Sequence, residues 1–233
     1  MPQMAKLQLP MRQYDAVLFD LDGTLLNTLE DLTRAVNHTL RLYGYPTLTA
    51  DTVRSYVGNG VRNLIARALP GGKEDARMEE ALAAFKQYYT THCISRTQPY
   101  EGVLEALTAL HEAGIKLAIV SNKNDEAVKT LSREFFGSLV HTAVGGQHGT
   151  PRKPAPDMPL LALDALDASP ARALFVGDSD VDFATAQNIG MDCMLVSWGF
   201  RDADALSQLG ARFFVTDPAE IPALILQAQE AGR

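Results

Sequence analysis

The chain has 233 residues, enough for one large domain or two modest ones, and its 46% hydrophobic and 21% charged residues are ordinary for a globular protein. A formal charge of −7 excludes general nucleic-acid binding, and no apolar run is long enough to span a bilayer. Residues 1–13 read as a loose leader without the apolar core of a secretory signal. Cys93 and Cys193 form no metal or disulfide motif, so we expect a cytoplasmic protein with reduced thiols.

The first strong pattern is a short apolar strand at residues 17–19 that ends in two carboxylates, Asp20 and Asp22. Ligands bind at the carboxyl ends of parallel strands, so chemistry is expected here. Aspartates two apart on an extended chain share one side, and their repulsion favours a hard cation such as Mg²⁺. Gly23 lets a ligand approach closely, and Thr24 supplies a hydroxyl donor. A turn that merely closes the strand is the alternative.

Helical periodicity replaces the strand pattern after Leu25. Thr28 is the predicted N-cap of the first helix, whose first turn is acidic, as the helix dipole favours. Four amphipathic helices are predicted near 29–40, 49–57, 61–69 and 76–91. We therefore predict an all-helical domain over residues 28–98, inserted into an α/β core made of residues 1–27 and 99–233. Two connecting segments allow such a domain to open and close.

Strands and helices alternate from residue 99 onward. Strands are predicted at 115–120, 141–144, 173–176, 193–196 and 213–215. Helices are predicted at 102–113, 125–136, 157–166, 183–188, 203–209 and 219–229. This alternation favours a doubly wound, Rossmann-like parallel sheet with right-handed crossovers.

Polar side chains follow three further predicted strands. Ser121 and Asn122 follow the second strand, Lys153 lies in the loop after the third, and Asp178 and Asp182 follow the fourth. Hydroxyl, amide and ammonium groups are the donors that a phosphate needs. Because the carboxyl ends of parallel strands meet at one edge, these side chains are expected to converge on the first motif.

Together these strand ends predict phosphoryl transfer. Asp20 is the candidate nucleophile, Asp22 the acid that protonates the leaving oxygen and then activates water, and Lys153 the cation that offsets developing charge. The candidate ligands for Mg²⁺ are Asp20, Asp22, Asp178 and Asp182. Taken singly, each loop has an ordinary alternative as a helix cap, a strand-ending turn or a solvated loop.

Four motifs resemble those of the haloacid dehalogenase superfamily: residues 20–25 (DLDGTL), 121–123 (SNK), 153–157 (KPAPD) and 177–182 (GDSDVD). The resemblance implies that the first aspartate is the nucleophile. It implies that the second is the acid/base and lends its backbone carbonyl to magnesium, and that the last motif completes the metal site. The second aspartate is typical of the phosphatase and mutase branch, and the helical insert resembles the cap of one subgroup.

Within that superfamily, residues 56–62 (YVGNGVR) and 156–161 (PDMPLL) resemble the phosphoglycolate phosphatases. Asn59, Gly60 and Arg62 are accordingly expected at the substrate, where Asn59 and Arg62 meet its carboxylate; a solvated surface arginine is the alternative for Arg62. The resemblance implies a Mg²⁺-dependent phosphomonoesterase acting on a small phosphorylated metabolite, with 2-phosphoglycolate as the leading substrate.

Two departures from the family pattern leave the substrate open. Asn27 stands where many members carry aspartate, and the loop at 147–152 lacks an acidic residue that many members have. A generalist phosphatase or pyrophosphatase, a phosphosugar mutase, a phosphonate-cleaving enzyme and a non-enzymatic binder are the alternatives. We expect no nucleic-acid, membrane or protein partner, and a monomer or homodimer.

Overall fold

The computed structural model of the protein describes residues 13–211 and 213–231, so the predicted leader lies almost wholly outside it. The strands are β1 (Ala16–Phe19), β2 (Leu26–Asn27), β3 (Gln98–Pro99), β4 (Lys116–Asn124), β5 (Thr142–Gly146), β6 (Ala173–Gly177), β7 (Asp192–Val196) and β8 (Phe213–Val215). The helices are α1 (Leu29–Leu42), α2 (Ala50–Tyr56), α3 (Val61–Ala68), α4 (Met78–His92), α5 (Val103–Glu112), α6 (Asp125–Phe136), α7 (Asp157–Ala165), α8 (Asp180–Ile189), α9 (Ala203–Ser207) and α10 (Glu220–Ala231).

A six-stranded parallel sheet in the order β5-β4-β1-β6-β7-β8 forms the core. Its central strand β1 pairs with β4 on one side and with β6 on the other. Strand order reverses at β1, which opens a crevice at the carboxyl ends of the strands. The predicted doubly wound α/β fold is confirmed, and the sheet order brings the predicted motifs to one edge.

Both faces of the sheet are buried, as expected for parallel strands. Val17 and Phe19 point into one apolar cluster, and Ala16 and Leu18 point into a second cluster on the opposite face, where Met158 of α7 packs. This alternation follows from the two-residue period of a strand. The apolar run of β1 therefore fixes the strand in the middle of the molecule, with its polar end at the crevice.

Helices α1 to α4 lie between β2 and β3, two short strands that pair antiparallel. Their apolar faces pack together around buried residues such as Leu32, Ile65 and Phe85. Asp31 is also buried, and its carboxylate accepts hydrogen bonds from the backbone N–H groups of Arg96 and Thr97 at 2.8 and 2.9 Å. The start of the helical segment is thereby joined to its end, next to the β2–β3 ribbon.

Three local predictions need correction. Strand β4 continues to Asn124, so Ser121 and Asn122 lie on the strand itself, where the pairing with β5 shifts register. Helix α8 begins at Asp180 rather than at 183, because Ser179 caps it. Thr28 precedes α1 as predicted, but its hydroxyl makes no capping bond. Among the described residues, no helix is long and apolar enough to cross a membrane.

Candidate active site

The cleft at the crevice is covered by the loop between α2 and α3. Asp20 lies at the end of β1, Lys153 follows β5, and Asp178 follows β6. Val57 and Gly58 of the covering loop line the same space. The enclosed part of the cleft has a volume of about 50 Å³, which is room for a few water molecules.

Asp20 is held by Lys153, whose Nζ lies 2.7 Å from its Oδ1 and 2.7 Å from Oδ1 of Asp182. The Lys153 side chain is only 2% exposed, and its ammonium also lies over the Phe175 ring. Burial raises the pKa of Asp20 to about 7, even though Lys153 acts to lower it. Predicted side chains from three separate strand ends thus meet in one buried network.

Three carboxylates form a compact acidic cluster: Asp20, Asp178 and Asp182 offer oxygen atoms that all lie within 4.8 Å of one another. Burial raises the pKa of Asp178 well above its usual value, and the neighbouring charges of Asp182 and Asp20 raise it further. The buried Lys153 balances only part of this negative charge. Oxygen donors at this spacing are what a hard divalent cation requires, so the residues present fit a magnesium ion.

Asp182 is held by several donors. Its Oδ2 accepts hydrogen bonds from the backbone N–H and the hydroxyl of Ser179, at 3.1 and 2.6 Å. The Ser179 hydroxyl caps α8 by accepting from the Asp182 backbone N–H, which completes a capping box. The same aspartate therefore begins the helix, holds Lys153 and belongs to the acidic cluster.

Asp22 does not join the cluster that we expected it to share with Asp20. Its Oδ1 accepts hydrogen bonds from the Thr28 hydroxyl at 2.6 Å and from Lys123 Nζ at 2.7 Å. Lys123 is buried, and its ammonium also lies 4.7 Å from the centre of the Tyr89 ring. We assigned Lys123 no role from the sequence, although it directly follows two residues that we selected.

Gly23 and Thr24 support the cluster from behind. Gly23 has φ +92°, and a Cβ there would overlap the Asp178 carboxylate. The Thr24 hydroxyl donates to Asp178 Oδ1 at 3.4 Å, and the Phe200 backbone N–H donates to Oδ2 at 2.6 Å. Neither Gly23 nor Thr24 lines the cleft, although we expected both residues next to a bound ligand.

Ser121 and Asn122 both line the cleft, as predicted. The Asn122 amide nitrogen donates to the carbonyls of Gly58 and Lys153, each at 3.0 Å, which uses both of its hydrogens. Its Oδ1 atom is buried and has no hydrogen-bond partner among the described residues. Asn122 therefore joins the covering loop to the sheet, and the Ser121 hydroxyl is the side-chain donor available to a phosphate.

Arg62, which we predicted to meet the substrate, does not line the cleft in this structure. Its guanidinium forms two hydrogen bonds to Glu79, at 2.7 and 2.8 Å, and the side chain is 57% exposed. Asn59 also lies outside the cleft lining, and its carbonyl accepts from Asn63 of α3. Gly60 does line the cleft, as predicted.

Two other arginines join the covering helices to the sheet. Arg54 of α2 donates to the carbonyls of Phe200 and Gly199, at 3.0 and 2.9 Å. Arg201 follows β7 and donates to the carbonyl of Val57 in the covering loop, at 2.9 Å. We predicted neither contact, because each pairs residues about 145 positions apart.

The acidic cluster and the buried lysine lie where the parallel strands end, which is where α/β enzymes have their active sites. The family of haloacid dehalogenase-like hydrolases matches residues 17–196, and the chain belongs to this family. The resemblance found in the sequence is thereby confirmed.

Several relatives carry the name phosphoglycolate phosphatase. One from Aquifex aeolicus is 35% identical over 185 residues, which cover 79% of this chain and 85% of the relative. One from Cupriavidus necator, named as the plasmid form, is 34% identical over 231 residues, covering 98% and 99%.

Two solved structures are similar to this chain over nearly their whole length. A candidate phosphoglycolate phosphatase from Lactobacillus delbrueckii subsp. bulgaricus superposes with a TM-score of 0.87 at 33% identity, covering 91% of this chain and 98% of that chain. CbbY from Rhodobacter sphaeroides, in complex with phosphate, has a TM-score of 0.76 at 25% identity, covering 90% and 96%. The fold and the relatives together make the chain a phosphatase-like member of the family.

Proposed function

We propose that the protein is a Mg²⁺-dependent phosphomonoesterase that forms an aspartyl-phosphate on Asp20, with 2-phosphoglycolate as the leading substrate. The observation that carries this proposal is the buried network of Asp20, Lys153, Asp178 and Asp182 at the end of the central strand. The names of the relatives support the substrate.

In the first step the Asp20 carboxylate attacks phosphorus while the bond from phosphorus to the leaving oxygen breaks. Asp22 passes to the leaving oxygen a proton that it takes from solvent water, and Thr28 and Lys123 hold its carboxylate at the cleft. In the second step Asp22 takes a proton from water, which attacks the same phosphorus and releases Asp20. Phosphate leaves, and both aspartates return to their starting states.

Lys153 and Ser121 bind the transferring group. Lys153 places a fixed positive charge 2.7 Å from the attacking carboxylate, where negative charge develops on the phosphoryl oxygens. Ser121 is 2% exposed and directs a hydroxyl into the cleft lining. Both groups are positioned before substrate enters, so little reorganisation accompanies the reaction.

Asp20, Asp178 and Asp182 would hold Mg²⁺, with the backbone carbonyl of Asp22 as the ligand that the family implies. Four carboxylates but three cationic side chains line the cleft, so a phosphate dianion needs further positive charge. When bound, the cation supplies that charge and relieves the repulsion between carboxylate and phosphate.

We also propose residues 28–98 as a cap domain that opens to admit substrate and closes to exclude water. The β2–β3 ribbon supports this, because both connections to the sheet run side by side and form a natural hinge. Bonds from Asn122, Arg54 and Arg201 would hold the closed form.

Two buried free cysteines support a reducing compartment, which we take to be the cytoplasm.

The test is phosphate release from 2-phosphoglycolate, hexose phosphates, nucleoside monophosphates, phosphoserine and pyrophosphate, each with MgCl₂ and with EDTA. We expect phosphate release with MgCl₂ and none with EDTA. We also expect kcat/KM for 2-phosphoglycolate to be about a hundredfold above that for the other substrates, a difference of roughly 2.7 kcal/mol in activation free energy. Asp20→Asn should abolish release, while Asp204→Asn, an exposed aspartate on α9, should not. No release from any monoester with MgCl₂ contradicts the proposal.

A further inference from the structure

Arg201 differs from the other cations that line the cleft, which are Lys123 and Lys153. Both lysines are buried and lie 2.7 Å from carboxylates, so their charges are already balanced. Within the described part of the chain, the ion pair of Arg201 is with Asp180, at 3.4 Å, and that carboxylate is 60% exposed. Water competes well with such a pair, so the positive charge of Arg201 is the one available to a ligand.

The guanidinium of Arg201 is fixed on one side and open on the other. Its Nη2 donates to the Val57 carbonyl at 2.9 Å, and its Nε points to Asp180. Its Nη1 makes no hydrogen bond with any residue that the structure describes. The side chain is 21% exposed, which leaves it accessible from the cleft but partly shielded from bulk water.

Glycine in the covering loop leaves room for this guanidinium. A Cβ on Gly58 would lie 3.1 Å from Arg201 Nη2, and Gly58 has φ +115°, which disfavours any other residue. Arg201 can therefore approach the backbone of the loop closely, and it lines the cleft together with Asp178 and Ser179.

We propose that Arg201 binds a second anionic group of the substrate, a carboxylate next to the phosphate ester, and thereby selects acidic phosphomonoesters. A planar guanidinium matches a carboxylate through two parallel hydrogen bonds. The role that we expected of Arg62 thus falls to an arginine from the sheet side of the cleft. This inference rests on the proposed phosphatase function and deepens it.

A purely mechanical role is the competing explanation, because Arg201 also joins the sheet to the covering loop. Arg54 provides the comparison, since it makes two such bonds but does not line the cleft. Loss of a mechanical contact should weaken turnover of all substrates alike. Loss of a group that binds the substrate's carboxylate should weaken turnover of the acidic substrate more than turnover of the others.

The experiment compares kcat/KM for 2-phosphoglycolate and for ethyl phosphate, in which a methyl group replaces the carboxylate. The variants are Arg201→Gln, Arg201→Lys, Arg54→Gln and Arg62→Gln, all measured in saturating MgCl₂. We expect Arg201→Gln to reduce the preference for 2-phosphoglycolate by about thirtyfold or more, and Arg201→Lys by less. Arg54→Gln should lower kcat/KM for both substrates by the same factor. Arg62→Gln should change kcat/KM for neither substrate by more than about threefold.

Equal losses on both substrates in Arg201→Gln, or an unchanged preference, would overturn the inference. If the wild-type protein hydrolyses both esters equally well, the inference fails while the phosphatase function stands. If it hydrolyses no monoester, the proposed function itself fails. Should Arg201→Gln unfold, as seen by circular dichroism, Arg201→Lys retains the charge and tests the same change in preference.

Discussion

The buried ion pair between Lys123 and Asp22 should contribute strongly to stability, and Lys123→Met tests this. Nζ and Oδ1 are 2.7 Å apart, and the two side chains are 4% and 13% exposed. Burial acts to lower the pKa of Lys123, but Asp22 and Tyr89 together raise it by more than burial lowers it, so the ammonium stays charged. Methionine keeps most of the apolar stem and removes the charge, so the Thr28 hydroxyl is the one hydrogen-bond donor left to Asp22 among the described residues.

Removing one partner of a buried pair costs about 3–5 kcal/mol, because the other charge stays desolvated. The residual exposure of Asp22 and its bond to Thr28 place Lys123→Met near the lower end, at about 3 kcal/mol. Asp22→Asn should cost a similar amount, since Lys123 then loses its carboxylate partner and keeps its contact with the Tyr89 ring. The double variant should cost about 2 kcal/mol less than the sum of the two, because it leaves no unpaired charge.

Urea denaturation followed by circular dichroism gives the free energy of unfolding of each variant. Lys129→Met is the matched control, because Lys129 forms an exposed i,i+4 pair with Asp125 at 2.8 Å. That pair should contribute no more than about 0.5 kcal/mol. The reasoning is refuted if Lys123→Met costs no more than Lys129→Met, or if the costs of Lys123→Met and Asp22→Asn simply add.

Further predictions concern the metal site and the helical segment. Gly199→Ala should abolish Mg²⁺ binding by calorimetry, because its Cβ would overlap Asp178; binding as tight as in the wild type would contradict this. Mg²⁺ affinity should rise from pH 5.5 to pH 8, because a cation must displace the proton that Asp20, with a pKa of about 7, holds below that pH. A flat pH profile in calorimetry would rule this out. Asp31→Asn should cost about 1–3 kcal/mol in urea denaturation, since the charged acceptor of the Thr97 bonds is lost; a wild-type midpoint would refute it.

The fold follows from the sequence because its signals are local. Apolar runs such as the one before Asp20 alternate with amphipathic stretches. This alternation of strands and helices is typical of a parallel sheet whose strands are connected by helices. The limits of β4 were missed for a physical reason. Ser121 and Asn122 are polar, but the strand continues through them, and the Asn122 amide donates to the Gly58 and Lys153 carbonyls at the cleft.

The site was predicted well where it depends on strand ends and poorly where it depends on packing between distant segments. Asp20, Lys153 and Asp178 converge because parallel strands end at one edge. Asp22 finds a partner 101 residues away, and no pattern near it indicates Lys123. Arg62 pairs with Glu79 because α3 packs on α4, and that geometry is absent from the spacing of residues.

The central claim is that Asp20 carries the phosphoryl group, and trapping that group is the most direct test. Protein turning over 2-phosphoglycolate with MgCl₂ is quenched within milliseconds and treated with borohydride, which reduces an acyl phosphate to the alcohol. Peptide mass spectrometry should then find homoserine at position 20 in the wild-type protein and no reduced residue in Asp20→Asn. Reduction at Asp22 or Asp178 instead, or continued phosphate release by Asp20→Asn, would contradict the account.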